Sequence, residues 1–119
     1  MANKREEDIL QAEIVKWYNN NYCLSTFEKR GIIFSVPNGG TRNKIEAMVL
    51  KATGLLAGVS DLIVILPNSK ILFIELKNEK GTQKEKQLDF ESRINKLNLP
   101  YYLIRSLEQF KTIIYDHLL

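Results

Sequence analysis

The chain has one cysteine, Cys23, and one histidine, His117, in 119 residues. A lone thiol closes no disulfide within the chain. The scarcity of both residue types excludes a zinc site built from several Cys and His ligands and argues against a Cys–His nucleophile pair. If a metal is used, oxygen atoms must hold most of it, which points to Mg²⁺ or Mn²⁺ rather than zinc. No apolar run approaches the ~18 residues that a membrane span needs. The opening MANKREEDIL has no apolar stretch of the signal-peptide kind. Both absences lead to an expectation of a cytoplasmic protein with no membrane partner. Charge of one sign is also scarce: 17 Lys and Arg face 14 Asp and Glu, for a net charge of +3. That balance is compatible with a nucleic-acid partner without arguing for one. There is no internal repeat, low-complexity tract or linker, and the length suits one domain spanning 1–119.

What is present is an alternation of periodicities. Residues 5–19 read as a helix with Leu10, Ile14 and Trp17 on one apolar stripe, and Glu13 falls on that stripe. Asn19 to Asn21 is the nearest thing to a break. GIIFSV at 31–36 reads as a strand ending at Pro37, followed by a turn at Asn38-Gly39-Gly40. Residues 42–53 read as a helix with Gly54 as its cap. Asp61 opens DLIVIL, and ILFIELK at 71–77 follows a tight turn, so the two form a hairpin. Residues 83–97 read as a helix with Gln87, Phe90, Ile94 and Leu97 on one face, and Asn98 suits its exit. Tyr101 to Ile104 form a short buried strand. Ser106 starts a last helix with Gln109 completing a capping box. The order α, β, α, β, β, α, β, α indicates an α/β fold around a mixed sheet.

Three ionisable residues interrupt these apolar runs. Asp61 begins one, while Glu75 and Lys77 end the next and, two apart on a strand, point to one face. Buried charges are costly unless they pair or bind a metal. Two carboxylates converging on one point repel each other unless a cation lies between them. Such a site suits phosphodiester hydrolysis, with Lys77 placed to orient a water, assist its deprotonation or stabilise charge. The carbonyl of Leu76 is a natural further oxygen ligand. Singly, each feature is ordinary: Glu-X-Lys is common as a solvated edge pair, and an Asp after Gly-X-Ser often caps its own turn. The combination is more specific: GVSD before an apolar strand, ELK ending its partner, and Gln87 ten residues after Lys77 on a helix's apolar face.

These residues carry a resemblance. The chain resembles the virus-type replication-repair nuclease (VRR-NUC) family, a branch of the PD-(D/E)XK nucleases, from about Glu13 to Leu107. The likeness rests on Glu13, PNGGTR at 37–42, GLLAGVSDLIVI at 54–65 and FIELK at 73–77. GTQKEKQ at 81–87 and YLIRSLEQF at 102–110 continue it. The resemblance implies a restriction-endonuclease-like core, a mixed β-sheet flanked by helices. It implies that Asp61 and Glu75 are metal ligands, that Lys77 is the catalytic lysine, that Gln87 supports the site, and that Glu13 is an auxiliary acidic ligand. Its stand-alone members resemble junction-resolving enzymes that act as homodimers on branched DNA. The expectation is therefore a Mg²⁺- or Mn²⁺-dependent DNA endonuclease. Nicking or restriction-like cleavage, or a decayed DNA-binding module, are the alternatives.

For DNA contacts, Asn38, Gly39, Gly40 and Arg42 admit two readings, a phosphate-binding loop at a helix start or an ordinary turn. Lys80 and Lys84, with Lys86 and Arg93, lend a basic cast to the segment after Lys77, but Glu85, Asp89 and Glu91 interleave with them as on a salt-bridged surface. The hairpin adds a geometric condition. Faces alternate along each strand, so Asp61 meets Glu75 only if the turn has odd length or a bulge intervenes. The three-residue loop Pro67-Asn68-Ser69, pairing Leu66 with Lys70, sets Asp61 opposite Glu75. A two- or four-residue loop pairing Leu66 with Ile71 sets it on the wrong face.

Overall fold

The computed structural model describes residues 4–24, 28–37 and 43–119. Its elements are α1 (Lys4–Tyr18), continued by a π-helical turn at Asn19–Cys23, then β1 (Ile32–Ser35), α2 (Lys44–Ala52), β2 (Leu62–Ile65) and β3 (Ile71–Leu76). There follow α3 (Glu85–Lys96), β4 (Tyr101–Ile104) and α4 (Leu107–Leu118). This is the expected order. The difference at Asn19 to Asn21 has a local cause. Asn21 Nδ2 donates to the Trp17 carbonyl at 2.8 Å, so an asparagine side chain caps the helix from which it was expected to depart.

Helix ends follow their end residues. Asn43 caps α2, its side-chain oxygen accepting from the Glu46 N–H at 2.8 Å. Gly54, at φ 112°, and Asn98, at φ 59°, take the left-handed conformation just beyond α2 and α3. After each, the next amide reaches back to the helix: Leu55 N–H to Leu50 O at 2.8 Å, and Leu99 N–H to Ile94 O at 3.2 Å. This exit leaves Leu97 66% exposed, so Leu97 does not belong to the buried face of α3 that Phe90 and Ile94 form. At α4 the Ser106 hydroxyl accepts from the Gln109 N–H at 3.2 Å, but the Gln109 side chain accepts from the N–H of Arg105, not Ser106.

The four strands lie in the order β1-β2-β3-β4, antiparallel except that β4 runs parallel to β3. One sheet face presents Leu62, Val64, Leu72, Ile74, Leu76 and Ile104 to α1 and α4, whose Ile14, Tyr18, Phe110 and Ile114 complete a fully buried core. On the opposite face α3 lays Phe90 and Ile94 over Phe73 and Tyr101. That second core is smaller and covers only the β3–β4 side. Towards β1 the same face leaves Ile32, Phe34 and Ile71 exposed. Among the described elements, none packs against α2.

The hairpin decides whether a site can exist. Leu62 pairs with Ile74, Ile63 with Phe73, Val64 with Leu72 and Ile65 with Ile71. The Leu66 N–H donates to Lys70 O at 2.8 Å and the Ser69 N–H to Leu66 O at 2.9 Å, which closes the three-residue loop Pro67-Asn68-Ser69. Ser69 stands at φ 72°, the left-handed position that ends such a loop. The odd loop has the parity that the site requires. Because Ser69 pays a left-handed penalty that glycine avoids, Ser69→Gly is expected to stabilise the fold by about 0.5 kcal/mol. Thermal unfolding should show a midpoint higher by roughly 2 °C; an unchanged or lower midpoint would mean that the loop conformation is not strained.

Candidate active site

The site lies where β2 begins and β3 ends. Extending the ladder by one pair beyond Leu62 and Ile74 puts Asp61 opposite Glu75. Asp61 is held by its backbone and its side chain at once. Its carbonyl accepts from the Val36 N–H at 3.0 Å, and its Oδ2 accepts from the Leu76 N–H at 2.8 Å. The carboxylate thus serves the β3 backbone just beyond the last paired residue of β2. The turn before it is pressed against α3. A Cβ on Gly58, which sits at φ 84°, would run into the carbonyl of Lys86. Only glycine allows GVSD to approach the start of α3 so closely. Ser60 is fully buried there, its hydroxyl donating to Leu62 O at 3.3 Å.

Glu75 is 1% exposed and Lys77 7% exposed, and alternation puts both on the α3 side of the sheet. The Lys77 ammonium stands 3.6 Å from Glu75 Oε2. The same oxygen accepts from Gln87 Nε2 at 2.7 Å. Gln87 has no freedom to turn its amide, because its Oε1 accepts from the backbone N–H of Lys84 at 2.8 Å. One glutamine therefore caps the first turn of α3 and directs its NH₂ group at Glu75. The other Glu75 oxygen, Oε1, is buried and has no hydrogen-bond partner.

The electrostatics follow from this packing. Burial, and then the neighbouring Asp61 charge, push the Glu75 carboxyl up to about 8, although Lys77 opposes the shift. Asp61 is raised too, mainly by burial, while the Leu76 N–H and the charges of Lys77 and Lys4 pull it down. Two desolvated acids cannot both ionise cheaply at neutral pH. Both carboxyls are therefore held above the ordinary carboxylate range.

Asp61, Glu75, Lys77 and Gln87 are thus brought together, and Leu76 meets Asp61 through its N–H. Glu13 is not brought to them. The buried stripe of α1 runs through Ile14 and Tyr18, and Glu13 is exposed. Among the described residues no group of three or more Asp, Glu, His or Cys side chains is placed to hold a metal. The half-buried acid on the buried stripe is Glu7, with Gln11, Ile14 and Tyr18 following at helical spacing. Counting the stripe from Tyr18 instead of Trp17 would have found it. Lys4, three residues before Glu7, has a charge that is felt at Asp61. Lys80 and Lys84 are exposed near the rim. Asn38, Gly39, Gly40 and Arg42 lie outside the described residues. Gln83 has a different partner from Gln87: its Nε2 donates to Glu91 Oε1 at 3.1 Å and to the Tyr101 hydroxyl at 3.2 Å. Tyr101, buried beneath α3, has its hydroxyl pushed up by burial and then by the Glu75 charge, and no sequence signal distinguished it from an ordinary core aromatic.

Comparison with known proteins identifies the fold and the family. A sequence comparison with curated proteins finds no match. One similar solved structure, named "VRR_NUC domain protein", has a TM-score of 0.72 at 20% identity, covering 93% of this chain and 86% of that one. Another, named "VRR_NUC domain", has a TM-score of 0.63 at 21% identity, covering 92% of this chain and 95% of that one. At such identities the likeness establishes a shared fold. The family model for the VRR-NUC domain matches residues 3–108, which include both acids, the lysine and the α3 glutamine. The chain belongs to the VRR-NUC domain family, and its function is of the nuclease type.

Proposed function

We propose that the chain is a Mg²⁺- or Mn²⁺-dependent DNA endonuclease, selective for branched DNA and active as a homodimer, with Asp61, Glu75 and Lys77 as its catalytic residues. The observation that carries the metal dependence is the buried, unpartnered Oε1 of Glu75 beside a second desolvated carboxylate. A hard divalent cation satisfies that oxygen, removes the repulsion with Asp61 and needs only the oxygen donors present here. Asp61 and Glu75 would hold the ion, with the Leu76 carbonyl as a further oxygen. Once bound, the ion supplies Lewis acidity towards a phosphoryl oxygen and lowers the pKa of water.

The chain's own residues do the rest. Gln87 holds Glu75 Oε2, so that Oε1 is the oxygen left for the ion. The Lys77 ammonium, fixed beside the same carboxylate, orients the attacking water and offsets negative charge as the phosphorus becomes five-coordinate. The buried ring of Tyr101, on the same face of the sheet, helps exclude bulk water, which strengthens each of these interactions.

The homodimer has its own support. Ile45, Met48 and Val49 recur at helical spacing along α2, all are exposed, and no described element covers them. Ile32, Phe34 and Ile71 are exposed on the sheet face next to β1. A second copy supplies apolar cover for both, and a twofold pair presents the two active centres that symmetric cutting of a junction needs.

Two experiments test these readings. Cleavage of labelled four-way, flap, splayed and linear DNAs should require Mg²⁺ or Mn²⁺, favour branched substrates and be abolished by Glu75→Ala. Lys77→Ala should leave DNA affinity within a few-fold and reduce cleavage roughly 100-fold or more. Robust activity in EDTA contradicts the metal. Equal losses of affinity and rate would make Lys77 only a phosphate anchor, and binding without any cleavage would indicate a decayed module. In light scattering with size exclusion the protein should have the mass of two chains, and Met48→Glu that of one. A monomeric wild-type protein would contradict the dimer.

A further inference from the structure

Arg105 follows directly on β4 and lies about 30 residues along the chain from Lys77, yet its contacts converge on the loop that Lys77 leads into. One terminal nitrogen, Nη1, donates to Asn78 O at 2.7 Å and Gly81 O at 2.8 Å, with Glu79 O at 3.4 Å. Within the loop, the Gly81 N–H donates to Asn78 O at 3.2 Å and the Lys80 N–H to Asn78 Oδ1 at 3.0 Å, so residues 78–81 form one closed turn. That turn folds back over the lysine. A Cβ added to Gly81 would stand 3.3 Å from Lys77 Cδ and 3.4 Å from Lys77 Cβ. The backbone of Gly81 is thus the wall against which the lysine's hydrocarbon stem lies. Arg105 is itself anchored. Its N–H donates to Gln109 Oε1 at 2.6 Å, and the preceding carbonyl, that of Ile104, accepts from the Lys77 N–H at 3.1 Å.

We infer that Arg105 is a positioning residue for Lys77: by gathering the carbonyls of the 78–81 turn it holds Gly81 against the lysine stem and so keeps the ammonium beside Glu75. The physical reason is side-chain entropy. A lysine has four rotatable bonds, and immobilising such a chain carries a large entropic cost. Packing by a tight turn supplies that restriction, and a turn with three of its carbonyls facing one cationic donor stays closed.

The inference rests on the reading of Lys77 as the lysine of a phosphodiester-cleaving centre, and the test separates the two. Hydrogen exchange of the full chain, which needs no activity, should show faster exchange in the 78–84 segment of Arg105→Ala, with other segments unchanged. With branched DNA and Mg²⁺, Arg105→Ala should lower kcat roughly 10- to 100-fold while DNA affinity stays within about threefold. In a Lys77→Ala background the same change should cost less than about twofold, because the group to be positioned is gone. Gly81→Ala, which crowds the lysine from the wall side and leaves Arg105 intact, should reproduce the loss in kcat. Unchanged exchange in 78–84, or unchanged kcat in Arg105→Ala and Gly81→Ala, overturns the inference. Equal losses from Arg105→Ala with and without Lys77 make the arginine merely structural and overturn it as well. Wild-type protein that cleaves no DNA overturns the reading of the site instead, whatever the exchange result.

Discussion

Two carboxylates, Asp61 and Glu75, are forced into one dry corner of the sheet, and the rest of the site is arranged around the repulsion between them. A fold selected for stability alone has little reason to keep a glutamate 1% exposed with one oxygen unpartnered. Burial and the neighbouring acid push the Glu75 carboxyl up to about 8. Lys77 reduces the penalty without removing it, since its ammonium stands 3.6 Å away on the oxygen that Gln87 already occupies. The other oxygen, Oε1, has no such donor, and under the proposed function a small divalent cation would satisfy it.

Several separate features of the fold exist in the geometry this pair requires. The odd hairpin loop sets the parity; one residue more or fewer would turn Asp61 to the α1 side of the sheet. Gly58 lets the turn before Asp61 press against the start of α3, and that same turn of α3 carries Gln87. Arg105 and the 78–81 turn close over Lys77 from the other side. The β3–β4 pairing is parallel, so the Lys77 N–H bonds to the end of β4 and the lysine enters from a fixed backbone. Helix α2 stands outside this arrangement, with an apolar stripe that no other described element covers.

Much of this was legible in the residues, and the parts that were not share a cause. Strand parity is a two-residue repeat, so the relation between Asp61 and Glu75 reduces to counting loop residues, and Leu66 with Lys70 closes as that count requires. End signals were equally local: Gly54 and Asn98 act within a turn of their own helices. Glu13 shows where local reasoning stops. A helical stripe is broad, and whether its centre passes through Trp17 or Tyr18 depends on which residues α4 and the sheet present to it. Taking Trp17 as the centre put Glu13 on the stripe, whereas the packing of Tyr18 leaves Glu13 exposed and Glu7 half-buried. Arg105 and Tyr101 act through tertiary contacts with segments more than 15 residues distant in sequence, and no pattern of spacing encodes such contacts.

The central claim is that the Asp61–Glu75 corner exchanges a proton for a cation. Calorimetric titration of the protein with Mn²⁺ at pH 7, repeated in buffers of different ionisation enthalpy, counts the protons released for each ion bound. With the Glu75 carboxyl pushed up to about 8, an ion bound by the pair as proposed would compete with a proton there. The account predicts release of close to one proton per ion, affinity that rises with pH, and loss of both binding and release in Glu75→Gln. Mn²⁺ binding without proton release, or binding that survives Glu75→Gln, would contradict it.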